Sequence, residues 1–285
     1  MRTILARNAH QALAESCFQL DSFGATNSDG GKTLPIPTNT TILMPLERVQ
    51  LYGVMFPLPA LITACSDLAD ERLRNVSHGA KALEKDSSVQ VTLHPSDPCD
   101  DIGVAYVRVD MDGKVQMMAC CPRTNVIEEA SDIVYLSMVM EYVATVCKRE
   151  VGALWITSMS PQCSSAQLDV VKELAKYAPQ PPNQFDDPYS LGVIKNTIPL
   201  MSIPSGRWDR ELKQFFSNET FDAVDYVDPF IQNVLAPAHR AHKLLVEQAP
   251  IAQVQRAIGE IASQDWMQAC LLSTQQDQPC TPQTE

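Results

Sequence analysis

The chain has 285 residues, 45% hydrophobic and 20% charged, a balance that fits a globular protein able to bury a sizeable core. A formal net charge of −12 argues against non-specific binding of duplex DNA, which needs basic surface, and leaves room only for a local basic pocket such as one phosphate requires. No apolar run approaches the roughly 18 residues of a membrane span, and Met1 to Arg7 has no apolar core of signal-peptide length.

In chain order, Asn8 to Phe18 reads as an amphipathic helix with Ala12, Leu13, Cys17 and Phe18 on its apolar side. Asp21 to Lys32 is a loop rich in Gly, Ser and Asp. Thr38 to Met44 alternates and reads as a strand. Pro57 and Pro59 precede a helix of about Ala60 to Asn75. Gly103 to Val109 and Lys114 to Cys120 are paired strands across the hairpin signal Asp112-Gly113. Ile133 to Lys148 is apolar on most of its surface and should be a central, buried helix. Ala153 to Thr157 is a short strand, and Ala166 to Tyr177 a helix closed by Pro179, Pro181 and Pro182. Asp187 to Ile203 reads as loop then strand. Arg207 to Phe216, Phe230 to Glu247 and Gln253 to Leu272 read as helices, the last carrying Trp266. Strands and helices without regular alternation predict an α+β fold. The reading is a single domain over 1–285, with 273–285 a polar, flexible tail.

The nine cysteines are scattered without a Cys-x-x-Cys pair, and none of the five histidines makes a zinc spacing with them. The expectation is free thiols in a reducing cytoplasm, and no metal. Cys99 stands apart. It lies in His94-Pro95-Ser96-Asp97-Pro98-Cys99-Asp100-Asp101, a proline-punctuated turn at the mouth of a strand, where a thiolate could be presented. Arg123-Thr124-Asn125 and Ser131-Asp132 follow, then the buried helix. Each has a plainer reading. A free cysteine is most often a small core residue, Arg123 an ion-pair residue, and Asp132 an N-cap before Ile133. Glu128-Glu129 could do general-base work but reads more simply as a solvated acidic turn. Cys120-Cys121 reads as strand-end packing, and Met138 and Met140 as core.

Taken together these segments resemble the thymidylate synthase and deoxycytidylate hydroxymethylase superfamily, in its phage-type branch. Arg7 to Leu13 is similar to that family's opening helix, Pro45-Leu46-Glu47-Arg48-Val49 to its early turn, and Pro98-Cys99 to its nucleophile dipeptide. Arg123-Thr124-Asn125 resembles the phosphate motif, and Ser131 to Tyr142 the helix after it. Ser263 to Cys270 is similar to the C-terminal helix. The order is collinear over most of the chain. The resemblance implies a thymidylate synthase-like fold, a mixed β-sheet packed with a central buried helix and surrounding helices. It implies transfer of a one-carbon unit from 5,10-methylenetetrahydrofolate to carbon 5 of a pyrimidine nucleotide.

In that chemistry a thiolate adds to carbon 6 and pushes electron density onto carbon 5. Cys99 would be the nucleophile. Arg123 would hold the phosphate through its planar fork and lower the thiol pKa, and Thr124 would donate to phosphate. Asp132 stands where enzymes acting on uracil carry asparagine. A carboxylate accepts from the exocyclic amine of cytosine, which points to dCMP and a 5-hydroxymethyl or 5-methyl product for modified phage DNA. The family forms a homodimer.

Several family residues are replaced. Thr63 stands at the catalytic glutamate, leaving Asp67 as the nearest replacement base. Asp100 replaces a histidine, Val126 the aspartate that meets the folate, and Pro161 and Cys163 the His-x-Tyr pair that holds the sugar hydroxyl. These losses keep two alternatives open. One is a relative acting on a base within DNA or with another donor. The other is a non-catalytic paralog pairing with an active subunit.

Overall fold

The first strand, β1 (Arg2–Ala6), is one that the sequence reading left out. It buries Ile4 and Ala6 on one side and turns into α1 (Ala9–Phe23) at Asn8. The Asn8 side chain accepts from the Gln11 backbone N–H at 3.1 Å, and the Gln11 side chain accepts from the Arg7 N–H at 2.8 Å. This reciprocal pairing satisfies donors that a helix start leaves open. α1 carries the chain back to β4 (Thr38–Ile42), which lies parallel to β1 in the register Arg2↔Thr38 to Ala6↔Ile42. The structure is a computed structural model that describes residues 1–46, 71–93, 104–122, 124–178, 231–263, 266–267 and 270–271.

Between α1 and β4 the expected loop is partly structured. α1 runs on to Phe23, and β2 (Ala25–Thr26) pairs antiparallel with β3 (Lys32–Thr33). Gly30, at φ +83°, makes the turn that brings them together. The Lys32 amine meets the Asp21 carboxylate at 2.8 Å and ties this small hairpin to the helix.

The central hairpin is formed as its sequence predicts. β6 (Val104–Val109) pairs with β7 (Lys114–Cys121) from Val104↔Cys120 to Val109↔Val115. Gly113 takes φ +78° at the turn, and Asp110 Oδ1 accepts from the Lys114 N–H at 2.8 Å. β5 (Val91–Leu93) extends the hairpin on the β6 side. β9 (Glu150–Ser158) inserts between β7 and β4, parallel to β7 and antiparallel to β4, with a bulge between Val115 and Met117. The main sheet therefore has the order β1-β4-β9-β7-β6-β5. A second, smaller sheet has the order β2-β3-β10-β8, where β8 is Thr124–Asn125 and β10 is Pro161–Cys163.

Alternation puts Thr38, Thr40, Ile42, Val115, Met117, Ala119, Cys121, Leu154, Ile156 and Ser158 on one buried face of the main sheet. Against that face lies α3 (Glu129–Cys147), in which every residue from Ile133 to Val146 is buried. Such a helix needs partners all round, and it has them. The sheet lies on one side, with α1 and α2 (Glu71–Lys85) packed against other sides. Val76, Ala80 and Leu83 of α2 enter the same core as Ile133, Leu136 and Met140. Each large aliphatic side chain so buried contributes roughly 1.5–3 kcal/mol. The result is a mixed α+β architecture around a central buried helix, as expected.

Three boundaries differ from expectation. Of the helix placed at Ala60 to Asn75, residues 60–70 lie outside the described residues, and the described part, Glu71–Lys85, runs past Asn75 to Lys85. The central helix starts at Glu129, itself buried, four residues before Ile133. The last helix is not continuous: α6 (Ile251–Gly259) ends before a break at 260–263, and Trp266 is buried beyond it. Ahead of α6, the helix expected over Phe230 to Glu247 opens as a π turn at Ile231–Leu235 and continues as α5 (Ala236–Val246). α4 (Leu168–Ala175), entered through a 3-10 turn at Ser165–Gln167, packs on α1 around a second apolar cluster.

Candidate functional site

The turn between β7 and α3 carries two of the residues singled out by sequence. β8 pairs parallel with β10, Pro161↔Thr124 and Gln162↔Asn125, and the Val126 N–H donates to the Gln162 carbonyl at 2.9 Å. Asn125 then fastens the turn. Its Oδ1 accepts from the Ile127 N–H at 3.2 Å, its Nδ2 donates to Glu128 Oε1 at 2.8 Å, and its carbonyl accepts from the Glu128 N–H at 2.9 Å. This is the local chemistry by which Asn makes turns. α3 begins at the next residue.

Thr124 is 1% exposed, and its Oγ1 accepts from Ser158 Oγ at 2.5 Å. A hydroxyl that accepts this bond still has its own hydrogen to give. Asp132 is half-buried in the first turn of α3, and its backbone N–H donates to the Glu128 carbonyl at 3.2 Å. It is therefore inside the helix, and the N-cap position belongs to Glu128. Thr124 and Asp132 thus sit at the two ends of one fastened strand–turn–helix unit. Cys99, Arg123 and Asp67, with Thr63 and Asp100, lie outside the described residues. The chain enters β6 at Val104, opposite Cys120, at the sheet end where β7 leaves toward Thr124.

Glu129 corrects the reading of Glu128-Glu129 as a solvated turn. It is 3% exposed, and burial pushes its carboxyl up to about 7 against smaller lowering effects of Ser16 and Thr40. Thr40 Oγ1 donates to its Oε1 at 3.4 Å. Ser16 stands beside the carboxyl, near enough to lower its pKa, without the geometry of a full hydrogen bond. A signal was available in the sequence: an acid leading straight into a helix without a polar face has no solvent side to turn to.

The described cysteines are free thiols, and four of them are poor nucleophiles. Burial pushes Cys17 well up, Cys147 up to about 11 and Cys270 up to about 12. It also raises Cys163. Such thiols stay protonated near neutral pH. Pro161 is buried, and Cys163 joins the apolar cluster of Leu13, Cys17 and Leu174. Val126, 0% exposed, belongs to the same cluster. A carboxylate could not replace it there without a large burial cost.

Among the described residues no group of three or more His, Cys, Asp or Glu could hold a metal ion, and no helix is long and apolar enough to cross a membrane.

The class so defined is a mixed α+β protein whose buried central helix is entered through a turn bearing a hydroxyl and an acid. No protein-family model matches the chain. It is similar, however, to a deoxyuridylate hydroxymethyltransferase of Pseudomonas phage M6, with 27% identity over an alignment of 325 residues that covers 93% of this chain and 92% of the relative. That full-length match supports assigning the chain to the thymidylate synthase and deoxycytidylate hydroxymethylase superfamily, in its phage-type branch.

Proposed function

We propose that the protein is a pyrimidine C5 one-carbon transferase that hydroxymethylates a deoxynucleoside monophosphate. The observation that carries this reading is the match, over nearly the whole length of both chains, to a relative named for that reaction on deoxyuridylate. Deoxyuridylate is accordingly the first substrate to expect. A second reading, deoxycytidylate, rests on Asp132. An ionised carboxylate accepts from the exocyclic amine of cytosine and opposes the carbonyl of uracil, whereas a protonated one can serve either base.

In this proposal Cys99 adds to carbon 6 of the ring, the electron pair moves to carbon 5, and carbon 5 attacks the one-carbon unit. Loss of the carbon 5 proton expels tetrahydrofolate from the new methylene, water adds to that methylene to give the hydroxymethyl group, and the electron pair returned to carbon 5 expels the thiolate and restores the ring. Two observations support Cys99. Burial raises the thiols of Cys17, Cys147, Cys163 and Cys270. Sequence also places Cys99 five residues before the β6 end that faces the exit of β7. Arg123 and Thr124 bind the phosphate, and Asp67 is the candidate replacement base. The fold is that of thymidylate synthase, and the protein is a homodimer. The outer face of the main sheet, with Met118 at 45% exposure beside Trp155 and Tyr106, offers the contact.

The test is tritium release from carbon 5 of labelled dUMP, dCMP and CMP, with methylenetetrahydrofolate or formaldehyde as donor. Release from dUMP or dCMP that is lost in Cys99→Ser is the expected result. No release from any of the three by folded protein refutes the reading and leaves the two alternatives, a relative acting on a base within DNA or with another donor, and a non-catalytic paralog.

A further inference from the structure

The inner face of the main sheet carries a polar island at one end. Thr38 and Ser158 are register partners on β4 and β9, and Thr40 lies two residues along β4. All three are at most 3% exposed. Ser158 donates to Thr124 on β8, and Thr40 donates to Glu129 at the head of α3. Ser16 of α1, also buried, adjoins the same carboxyl. Five elements thus meet through short polar side chains, with one acid among them. Glu129 follows Thr124 by five residues, across the turn that Asn125 fastens. Its side chain ties the far end of that turn to β4 through Thr40 and lies beside Ser16 of α1.

We propose that Glu129 is a positioning residue for the nucleotide phosphate, acting through the Thr124 turn in its neutral, hydrogen-bonding form. The proposal rests on the nucleotide-transferase reading above. A neutral carboxyl can donate one hydrogen bond and accept others, so it can bridge Thr40 and Ser16. An ionised one only accepts, and it puts a buried negative charge behind a turn that must receive a phosphate. The other titratable groups around it do not substitute for it. On α1 these are Cys17, whose thiol Glu129 itself pushes up, and His10, which burial holds neutral with its pKa lowered to about 3. Asp21 on α1 and Cys163 on β10 act on Cys17. Glu128 and Asp132 share its own turn. The buried face of β4 and the neighbouring end of β9 offer only the hydroxyls of Thr38, Thr40 and Ser158.

The experiment measures the dissociation constant of dUMP and of dCMP from about pH 6 to pH 8.5, for the wild-type protein, Glu129→Gln and Glu129→Ala. The ratio of wild type to Glu129→Gln cancels ionisation of the ligand's own phosphate. That ratio is expected to rise on the order of fivefold across the range, because Gln stays neutral. Glu129→Ala is expected to weaken binding at every pH. Inorganic phosphate, as a competitor, should show the same pattern. Thermal melts confirm which variants are folded, and the Gln variant, which keeps shape and polarity, carries the conclusion if Ala does not fold. Wild-type and Gln curves that run parallel, with nucleotide bound by both, overturn the role of Glu129 alone. A wild type that binds neither nucleotide overturns the transferase reading and this proposal with it.

Discussion

Replacing Glu129 by Gln should flatten the pH dependence of stability in the neutral range. The carboxyl has its ordinary value of about 4.5 in the unfolded chain, and burial pushes it up to about 7 in the folded one. The folded state therefore holds the proton more tightly. The stability that this proton contributes is complete below the unfolded value and is lost as pH rises through the folded one. A gap of that size corresponds to about 3 kcal/mol in all, at about 1.4 kcal/mol per pH unit. Between about pH 5.5 and pH 8.5 the part lost is roughly 2 kcal/mol. Gln keeps the shape and the hydrogen bonds and has no proton to lose. Urea unfolding of both proteins at about pH 5.5, 7 and 8.5 gives the comparison directly, since other titrating groups are common to the two. The wild type should lose about 2 kcal/mol more than the variant over that span. Equal losses, or a wild type that gains on the variant with rising pH, would show that Glu129 is not held neutral by burial and would remove the basis for its assigned role.

Other perturbations probe other levels of the structure. Asn8→Ala removes the acceptor for the Gln11 N–H and should cost about 1 kcal/mol, seen as a lower urea midpoint at unchanged slope. Gly113→Ala forces a side chain into φ +78° at the β6–β7 turn, with Arg149 Nη1 3.3 Å from the new carbon; a loss of about 1–2 kcal/mol in thermal melts is expected, and a smaller one for Gly113→Asn. Met117→Ala opens a cavity beneath α3 and should cost about 2–5 kcal/mol, whereas Met117→Leu should cost under about 1.5 kcal/mol in the same assay. Thr124→Val deprives the buried Ser158 hydroxyl of its acceptor and should destabilise by about 1–3 kcal/mol, with Thr124→Ser restoring most of the loss in urea unfolding.

Local signals were strong enough to locate the middle of the chain. The alternation of residues 104–109 and 114–120 around Asp112-Gly113 specifies the hairpin, and the unbroken apolar surface after Ile133 specifies a buried helix. β1 was missed because its five residues include only two that face the core, Ile4 and Ala6, and its stability comes from pairing with β4 across the length of α1. β10 is three residues long and is held by Thr124 and Asn125 on one side and Lys32 and Thr33 on the other, pairings that no local pattern announces. The same distance in sequence hid Glu129. Its burial is made by Ser16 and Thr40, residues 113 and 89 positions away, so the dipeptide Glu128-Glu129 looks wet when read alone. At the site, the order Thr124, Val126, Asp132 was legible. What was not legible was that Val126 faces an apolar cluster, which makes its replacement of an acid a matter of packing as well as of binding.

The place of β9 in the sheet has a bearing on how the protein is made. β4 and β7 flank it, so neither has its inner neighbour until residues 150–158 arrive. The bond from Thr157 Oγ1 to Asn39 Oδ1 closes a loop of 118 residues. During synthesis β1–α1–β4 and the β5–β6–β7 ribbon emerge as two half-sheets, each with an open edge facing an absent partner. Closing them costs the entropy of a long loop before most of the contacts around α3 can form. A nascent chain stopped short of Glu150 therefore holds two templates for wrong pairing, and β9 is the strand whose arrival removes both.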